Sequence, residues 1–309
     1  MNSISNRDNS GDMKMERREF LIGSLAAAGA GALSSGSARA EKSAKPAKAK
    51  LRICSREGCI PGETLKEKVR RLHDWGAAAV ELNGGRLAER TKEITDALKG
   101  TRIVVGAICG GYSGLLISPD KAKRDEAVST MKKTLTAAAK WNAAGVIAVP
   151  AFNRHKQLIG KDARDALIEA LKRIGEHGAK VGVPAMLEPL NRKEAYFLRQ
   201  LADAASICRD VGSPGAAMMG DFYHMYFEET SDQGAFLSGG EYLRHVHLGS
   251  IKRKLPGQDA RSFVDGFVGL KRIGYQGCMS LECGCIGKKD VEIPKSFRFL
   301  EKQWAEATI

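Results

Sequence analysis

Short apolar runs recur along this chain at regular intervals, and amphipathic stretches separate them. The runs are LRIC (51–54), AAVEL (78–82), IVVGAIC (103–109), GVIAVP (145–150), PAMLE (184–188), AAMMGD (216–221), HVHLG (245–249) and CMSLE (278–282). Between them, TLKEKVRRLHDWG, KRDEAVSTMKKTLTAAAKWNA, ARDALIEALKRIGEHGAKV and RSFVDGFVGLKRIG carry helical periodicity. Strand-length apolar runs alternating with amphipathic helices mark βαβ units and a parallel sheet. Gly or Asn follows a basic turn in KWNAAG, EHGAKVG and KRIGYQG, as at helix C-termini. Eight strands and eight helices over residues 51–309 predict α/β class and a single (β/α)8 TIM barrel. A doubly wound open sheet would carry a Gly-rich phosphate turn after its first strand, and CSREGCIPGE is not one.

The N-terminus is of another kind. MERREFLIGSLAAAGAGALSSGSARA sets Arg17 and Arg18 before Phe20 and Leu21, then runs apolar to Ala38-Arg39-Ala40. A basic region, an apolar region and a small-residue cleavage site predict a cleaved signal peptide over residues 1–40. The paired arginines point to the twin-arginine route, hence export to the periplasm or beyond the cell. The apolar run is shorter than the ~20 residues that cross a bilayer core. No cysteine sits at the cleavage site, so no stable membrane anchor is expected. Residues 41–50, EKSAKPAKAK, read as a disordered linker.

Net charge is +13. Removing the five basic and four acidic residues of 1–40 leaves 44 Lys/Arg against 32 Asp/Glu, or +12. The lysines are spread along helix faces rather than clustered with aromatics, so no nucleic-acid partner is expected. The seven cysteines are odd in number, and CGC at 283–285 has no zinc-finger spacing. Cys109, Cys278 and Cys283 sit in apolar strand contexts, as small hydrophobes do. A Cys54–Cys59 disulfide stays open in an oxidising compartment.

In a (β/α)8 barrel the chemistry sits at the C-terminal ends of the strands. The fifth strand ends in Glu188, the sixth in Asp221 and the eighth in Glu282, while the seventh carries His247. His245 alternates onto the same side as His247, so only one of the two reaches the rim. A buried strand rarely accepts an ionised carboxylate without a partner. A strand-end Asp alone often caps a helix, and a lone His is often structural. Four such residues at one depth converge instead. Three carboxylates and one imidazole suit a hard or borderline divalent ion, with water or substrate oxygens completing six positions.

MLEPLNRKE, GDFYHM, HVHLGS and MSLECG resemble the metal-dependent sugar isomerase/epimerase family of xylose-isomerase-like barrels, in the pattern of ketose 3-epimerases. LLISPDKAKRDEAV looks like that family's loop after the third strand. The resemblance spans residues 51–309 and implies metal ligands Glu188, Asp221, His247 and Glu282, with Glu188 and Glu282 doubling as catalytic acid and base. It implies one divalent ion, Mn2+ first and Mg2+ or Co2+ as alternatives. Glu194, His224 and Arg253 lie six, three and six residues after Glu188, Asp221 and His247, where the family binds substrate oxygens. The implied partner is a small sugar: a free ketose or related keto sugar, epimerised or isomerised through an enediolate. The alternative is a lyase or hydratase acting on 3-keto-glycosides. An apurinic-site endonuclease would need more histidine ligands than six histidines in all provide, and an inactive sugar-binding paralogue would keep the ligands without turnover. The strands reading LRICSREGC and the loop CGGYSGLL depart from the ketose-epimerase pattern and leave the substrate open, as is the choice of homodimer or homotetramer.

Overall fold

All eight expected strands form. They are β1 (Ile53–Arg56), β2 (Ala79–Asn83), β3 (Val104–Cys109), β4 (Val146–Ala148), β5 (Ala185–Leu187), β6 (Ala216–Asp221), β7 (Leu243–Leu248) and β8 (Cys278–Leu281). Every neighbouring pair is parallel, and β8 pairs with β1 to close the barrel. This is a computed structural model, and it describes residues 48–309; the expected signal peptide and linker residues 41–47 lie outside the described residues. The last part of the expected linker is tied to the barrel floor: Lys50 N–H donates to Tyr275 O (3.2 Å), and Gln276 Nε2 donates to Lys48 O (2.7 Å).

The helices are α1 (Leu65–Asp74), α2 (Thr91–Leu98), α3 (Lys121–Ala138), α4 (Gly160–Val181), α5 (Leu201–Val211), α6 (Phe222–Glu228), α7 (Asp232–Gly239), α8 (Val264–Arg272) and α9 (Lys289–Glu306). Their ends follow local chemistry. Thr64 Oγ1 accepts the Glu67 N–H (3.2 Å) ahead of α1, and Asp120 accepts the Ala122 N–H (2.9 Å) ahead of α3, satisfying donors that the first helical turn leaves free. Gly182 ends α4 at φ 76, and Asn142 and Gly274 take φ 50 and 65, each in the left-handed region. The sequence predicts eight helices; the described residues hold nine α-helices. The additional one is α6, a single short helix directly after β6. No helix among the described residues is long and apolar enough to cross a membrane.

The barrel interior is narrow and built from small groups. Cys54, Ala79 and Cys278 close its N-terminal end, and a Cβ on Gly106 would lie only 3.2 Å from Cys54 Sγ. Ala107, Ile147, Met186, Ala217 and Met219 fill the layers above. The larger core lies outside, between strands and helices. Burial pushes the Cys54 thiol well up, so it stays protonated as a small hydrophobe. All seven cysteines are free, so the Cys54–Cys59 pairing is not formed in this structure. At the C-terminal end, the loops after β2 and β3 touch so closely that a Cβ on Gly84 would meet Gly110 O at 2.1 Å. Only glycine fits there, and the contact fixes the lip of the barrel mouth.

Candidate metal centre and active site

Parallel register delivers the four strand-end residues to one depth. Asp221 pairs with His247, and His247 with Ser280, across β6, β7 and β8. Glu188 follows β5 and continues its ladder, its N–H donating to Ala148 O (3.1 Å). Glu282 follows β8. One ligand atom from each of Glu188, Asp221, His247 and Glu282 lies within 4.8 Å of all the others. His247 Nδ1 stands among them, 3.4 Å from Glu188 Oε1, 3.9 Å from Asp221 Oδ2 and 3.3 Å from Glu282 Oε2.

Asp221 resolves the two roles a strand-end aspartate can take. Its Oδ1 caps α6 by accepting the Tyr223 N–H (2.8 Å). Its Oδ2 is buried with no hydrogen-bond partner. The helix cap therefore fixes the carboxylate and leaves its second oxygen aimed at the cluster. His247 Nδ1 and His224 Nε2 are buried without a partner as well. Orphaned buried polar atoms are rare in folded proteins, and these three border the same point.

Charge repeats the message. Two like charges about 4 Å apart repel by roughly 4 kcal/mol at an effective dielectric near 20. Burial, with the negative charge of Glu282, raises the Glu188 carboxyl above its ordinary value. Burial also opposes ionisation of Glu282, but His247 and Arg253 overcome it and hold that carboxyl low. Burial would lower His247, yet Glu81 and Glu282 lift it well above the ordinary imidazole value. The cluster demands positive charge at its centre. Three carboxylates, one imidazole lone pair and unpartnered oxygen and nitrogen atoms fit a divalent cation there.

Around the cluster opens a cavity of about 460 Å3, lined by Glu188, Glu194, His224, Arg253, Glu282 and Arg56 among others. The three residues expected by offset from the ligands are thus all on its wall. His224 Nδ1 accepts from the Asn191 backbone N–H (3.1 Å), so its hydrogen is on Nε2, which faces Asp221 Oδ2 at 3.6 Å. Arg253 donates to Glu194 Oε1 (3.1 Å) and to Glu282 Oε2 (2.7 Å). Its backbone is left-handed (φ 52), and its guanidinium lies 4.8 Å over the Tyr223 ring. A non-glycine residue in that conformation costs about 1–3 kcal/mol. Here the strain aims a cation at the mouth of the site. Glu194 and Arg253 are not free loop charges but a pair that braces Glu282.

Sequence reading passed over two site residues. Arg56, the last residue of β1, donates to Glu282 Oε1 and to Asn83 Oδ1 (3.2 Å). Glu81 on β2 is fully buried and accepts from both His245 and His247. His245 lies one layer below His247 on the same side of β7. A carboxylate inside the apolar run AAVEL was a signal of the same kind as Glu188.

A sequence model of the xylose isomerase-like TIM barrel family matches residues 69–303. The chain belongs to this family. It is 27% identical over 230 residues to the 3-dehydro-D-guloside 4-epimerase of Escherichia coli (strain K12), covering 71% of this chain and 87% of that protein. It is 32% identical over 115 residues to the D-psicose 3-epimerase of Ruminiclostridium cellulolyticum, covering 37% of this chain but only 39% of that protein. The crystal structure of an apo 3-keto-D-glucoside 4-epimerase from E. coli superposes with a TM-score of 0.76 at 25% identity, over 82% of this chain and 100% of that one. A D-psicose 3-epimerase with D-tagatose from Clostridium cellulolyticum H10 superposes with a TM-score of 0.70 at 21% identity, over 83% and 96%, a likeness of fold. The chain is an enzyme of the isomerase/epimerase class.

Proposed function

We propose that this enzyme epimerises a keto sugar at the carbon beside its carbonyl, using a divalent ion held by Glu188, Asp221, His247 and Glu282. The observation that carries the reading is the convergence of those four donors, two of their atoms unpartnered, beside a cavity that Glu188 and Glu282 line. When bound, the ion supplies Lewis-acid polarisation of the keto oxygen, which acidifies the adjacent C–H. One of Glu188 and Glu282 takes that proton, and the C–H electron pair moves into the carbonyl to give an enediolate. The other glutamate protonates the carbon from the opposite face. Arg253 lies where it can offset the oxyanion's charge, and His224 offers its Nε2–H to a sugar hydroxyl. Glu194 holds Arg253 and accepts from a further hydroxyl. Mn2+ is the proposed ion.

Two observations favour a 3-keto-glycoside over a free ketose. The match to the 3-dehydro-D-guloside 4-epimerase spans most of both chains, whereas the D-psicose 3-epimerase matches span about two fifths of theirs. The cavity also extends past the cluster to Tyr112, Leu115, Val149 and Phe152, an apolar wall suited to a substituent on the sugar. Metal analysis of the purified enzyme, with a screen of 3-keto-glycosides and free ketoses, tests the proposal. Turnover of a 3-keto-glycoside by protein holding Mn2+ is expected. Turnover confined to free ketoses would replace the substrate, and elimination of the glycosyl group would replace epimerisation by lyase chemistry.

Export by the twin-arginine route belongs to the same proposal, supported by Arg17, Arg18 and Ala38-Arg39-Ala40. Arg17→Lys with Arg18→Lys should leave uncleaved protein in the cytoplasm. Normal export of that variant would assign the general secretory route.

A further inference from the structure

Beneath His247, on the side away from the cavity, Glu81 joins two histidines. Its Oε2 lies 2.7 Å from His245 Nε2 and 3.0 Å from His247 Nε2. All three residues are fully buried. An ionised carboxylate only accepts hydrogen bonds, so both Nε2 atoms carry the hydrogen. In neutral His247 that leaves Nδ1 as the lone pair, and it is the atom that faces Glu188, Asp221 and Glu282 at 3.3–3.9 Å. The two imidazoles stand nearly perpendicular, 86° apart with centroids at 5.3 Å. One oxygen shared between perpendicular rings holds each donor in a single direction. The other oxygen, Oε1, has no hydrogen-bond partner and lies 3.9 Å from Arg56 Nε.

We infer that Glu81 is a positioning residue for the metal centre: it fixes the tautomer and ring orientation of His247, with His245 as the second anchor that keeps the carboxylate in place. The inference rests on the metal reading above. Glu81, His245 and His247 also form a trio of potential ligands close enough to share an ion. Direct hydrogen bonds already use Oε2 and both Nε2 atoms, the atoms at which the three side chains meet, so the trio serves as a support and not as a second ion site. Removing such a partner from a ligating histidine costs typically ~10–100-fold in metal affinity. Glutamine at 81 keeps the shape but loses the charge, and an amide turned the wrong way sets N–H against N–H.

The test is calorimetric titration of Mn2+ into chelator-treated protein, wild type against Glu81→Gln and His245→Asn, with Co2+ absorption spectra of each. Expected is one tight ion in the wild type, ~10–100-fold weaker binding in Glu81→Gln, a smaller loss in His245→Asn, and an altered Co2+ ligand-field band in Glu81→Gln. A support for folding alone would lower the melting temperature of the metal-free variants and leave ion affinity and spectrum unchanged, and that result overturns the inference. Should Glu81→Gln fail to fold, wild-type affinity in His245→Asn overturns it instead. A wild type that takes up no ion overturns the metal reading, and this inference with it.

Discussion

Two clusters of acid and histidine meet at His247, and they differ in one respect that separates support from function. In the lower cluster, the Nε2–H groups of His245 and His247 are both matched to Glu81 Oε2 and the trio is sealed from solvent, although Glu81 Oε1 and His245 Nδ1 keep no hydrogen-bond partner. In the upper cluster, three carboxylates crowd the opposite nitrogen of the same ring, Asp221 Oδ2 and His247 Nδ1 have no partner, and a cavity opens above. Residue types are nearly the same. A buried carboxylate is stable where hydrogen bonds offset its desolvation, and in the lower cluster two imidazole N–H donors serve the single carboxylate of Glu81. The upper one crowds three carboxylates around one imidazole, an arrangement suited to a cation, and Glu188 and Glu282 line the cavity beside it.

The sharpest way to break the comparison is to neutralise a glutamate above. Glu188→Gln and Glu282→Gln should each lower kcat by roughly 10²–10⁴-fold or more, the scale of lost acid–base catalysis, with the fold intact by circular dichroism. Near-wild-type kcat with the ion bound would remove that residue from the proton path. Next in size, Asp221→Asn or His247→Ala should abolish the stabilisation that Mn2+ gives the folded state. For an intact site that gain is ~2.7 kcal/mol at an ion concentration 100 times Kd. Melting curves with and without Mn2+ read it, and an undiminished shift in both variants would mean the ligands are misassigned.

A smaller effect sharpens the contrast between the floor and the wall of the cavity. Alanine at Glu194, His224 or Arg253 should raise KM or lower kcat by roughly 10–10³-fold without changing metal content, because each deletion leaves a sugar hydroxyl or charge unpaired. Wild-type kinetics in all three would reduce the ketose-epimerase pattern to a likeness of fold. The mildest change is expected at Arg56→Lys. Lysine keeps the charge beside Glu282 but cannot span to Asn83 as the guanidinium does. A few-fold loss in kcat/KM is expected, measured on the same substrate.

The barrel was legible because its strands are buried on both faces and so stand out as apolar runs. The open-ended polar residues Glu188, Asp221, His247 and Glu282 were legible because polarity at the end of such a run is conspicuous. Glu194, His224 and Arg253 came from offsets in a family pattern, and their meeting on one cavity wall depends on two loops and the short helix α6, whose paths no periodicity encodes. Helix α6 was not legible: FYHMYFE is a short, largely aromatic helix of about two turns with no polar face to reveal a period. Arg56 was missed because the first strand was expected to stop at Cys54, two residues before its end. Glu81 was missed for the opposite reason. It lies within its strand, and the partners that satisfy it are more than 160 residues away on β7.

The central claim is that a metal-dependent proton transfer at a sugar carbon occurs on the upper cluster. Deuterium incorporation from D2O, followed by NMR on a 3-keto-glycoside, addresses it directly. The wild-type enzyme should place deuterium at the carbon beside the carbonyl as the epimer forms. Chelation should stop both processes, Mn2+ should restore them, and Glu188→Gln or Glu282→Gln should abolish epimer formation with Mn2+ present. Epimer formed without deuterium, or exchange that continues at full rate in metal-free protein, would contradict the account.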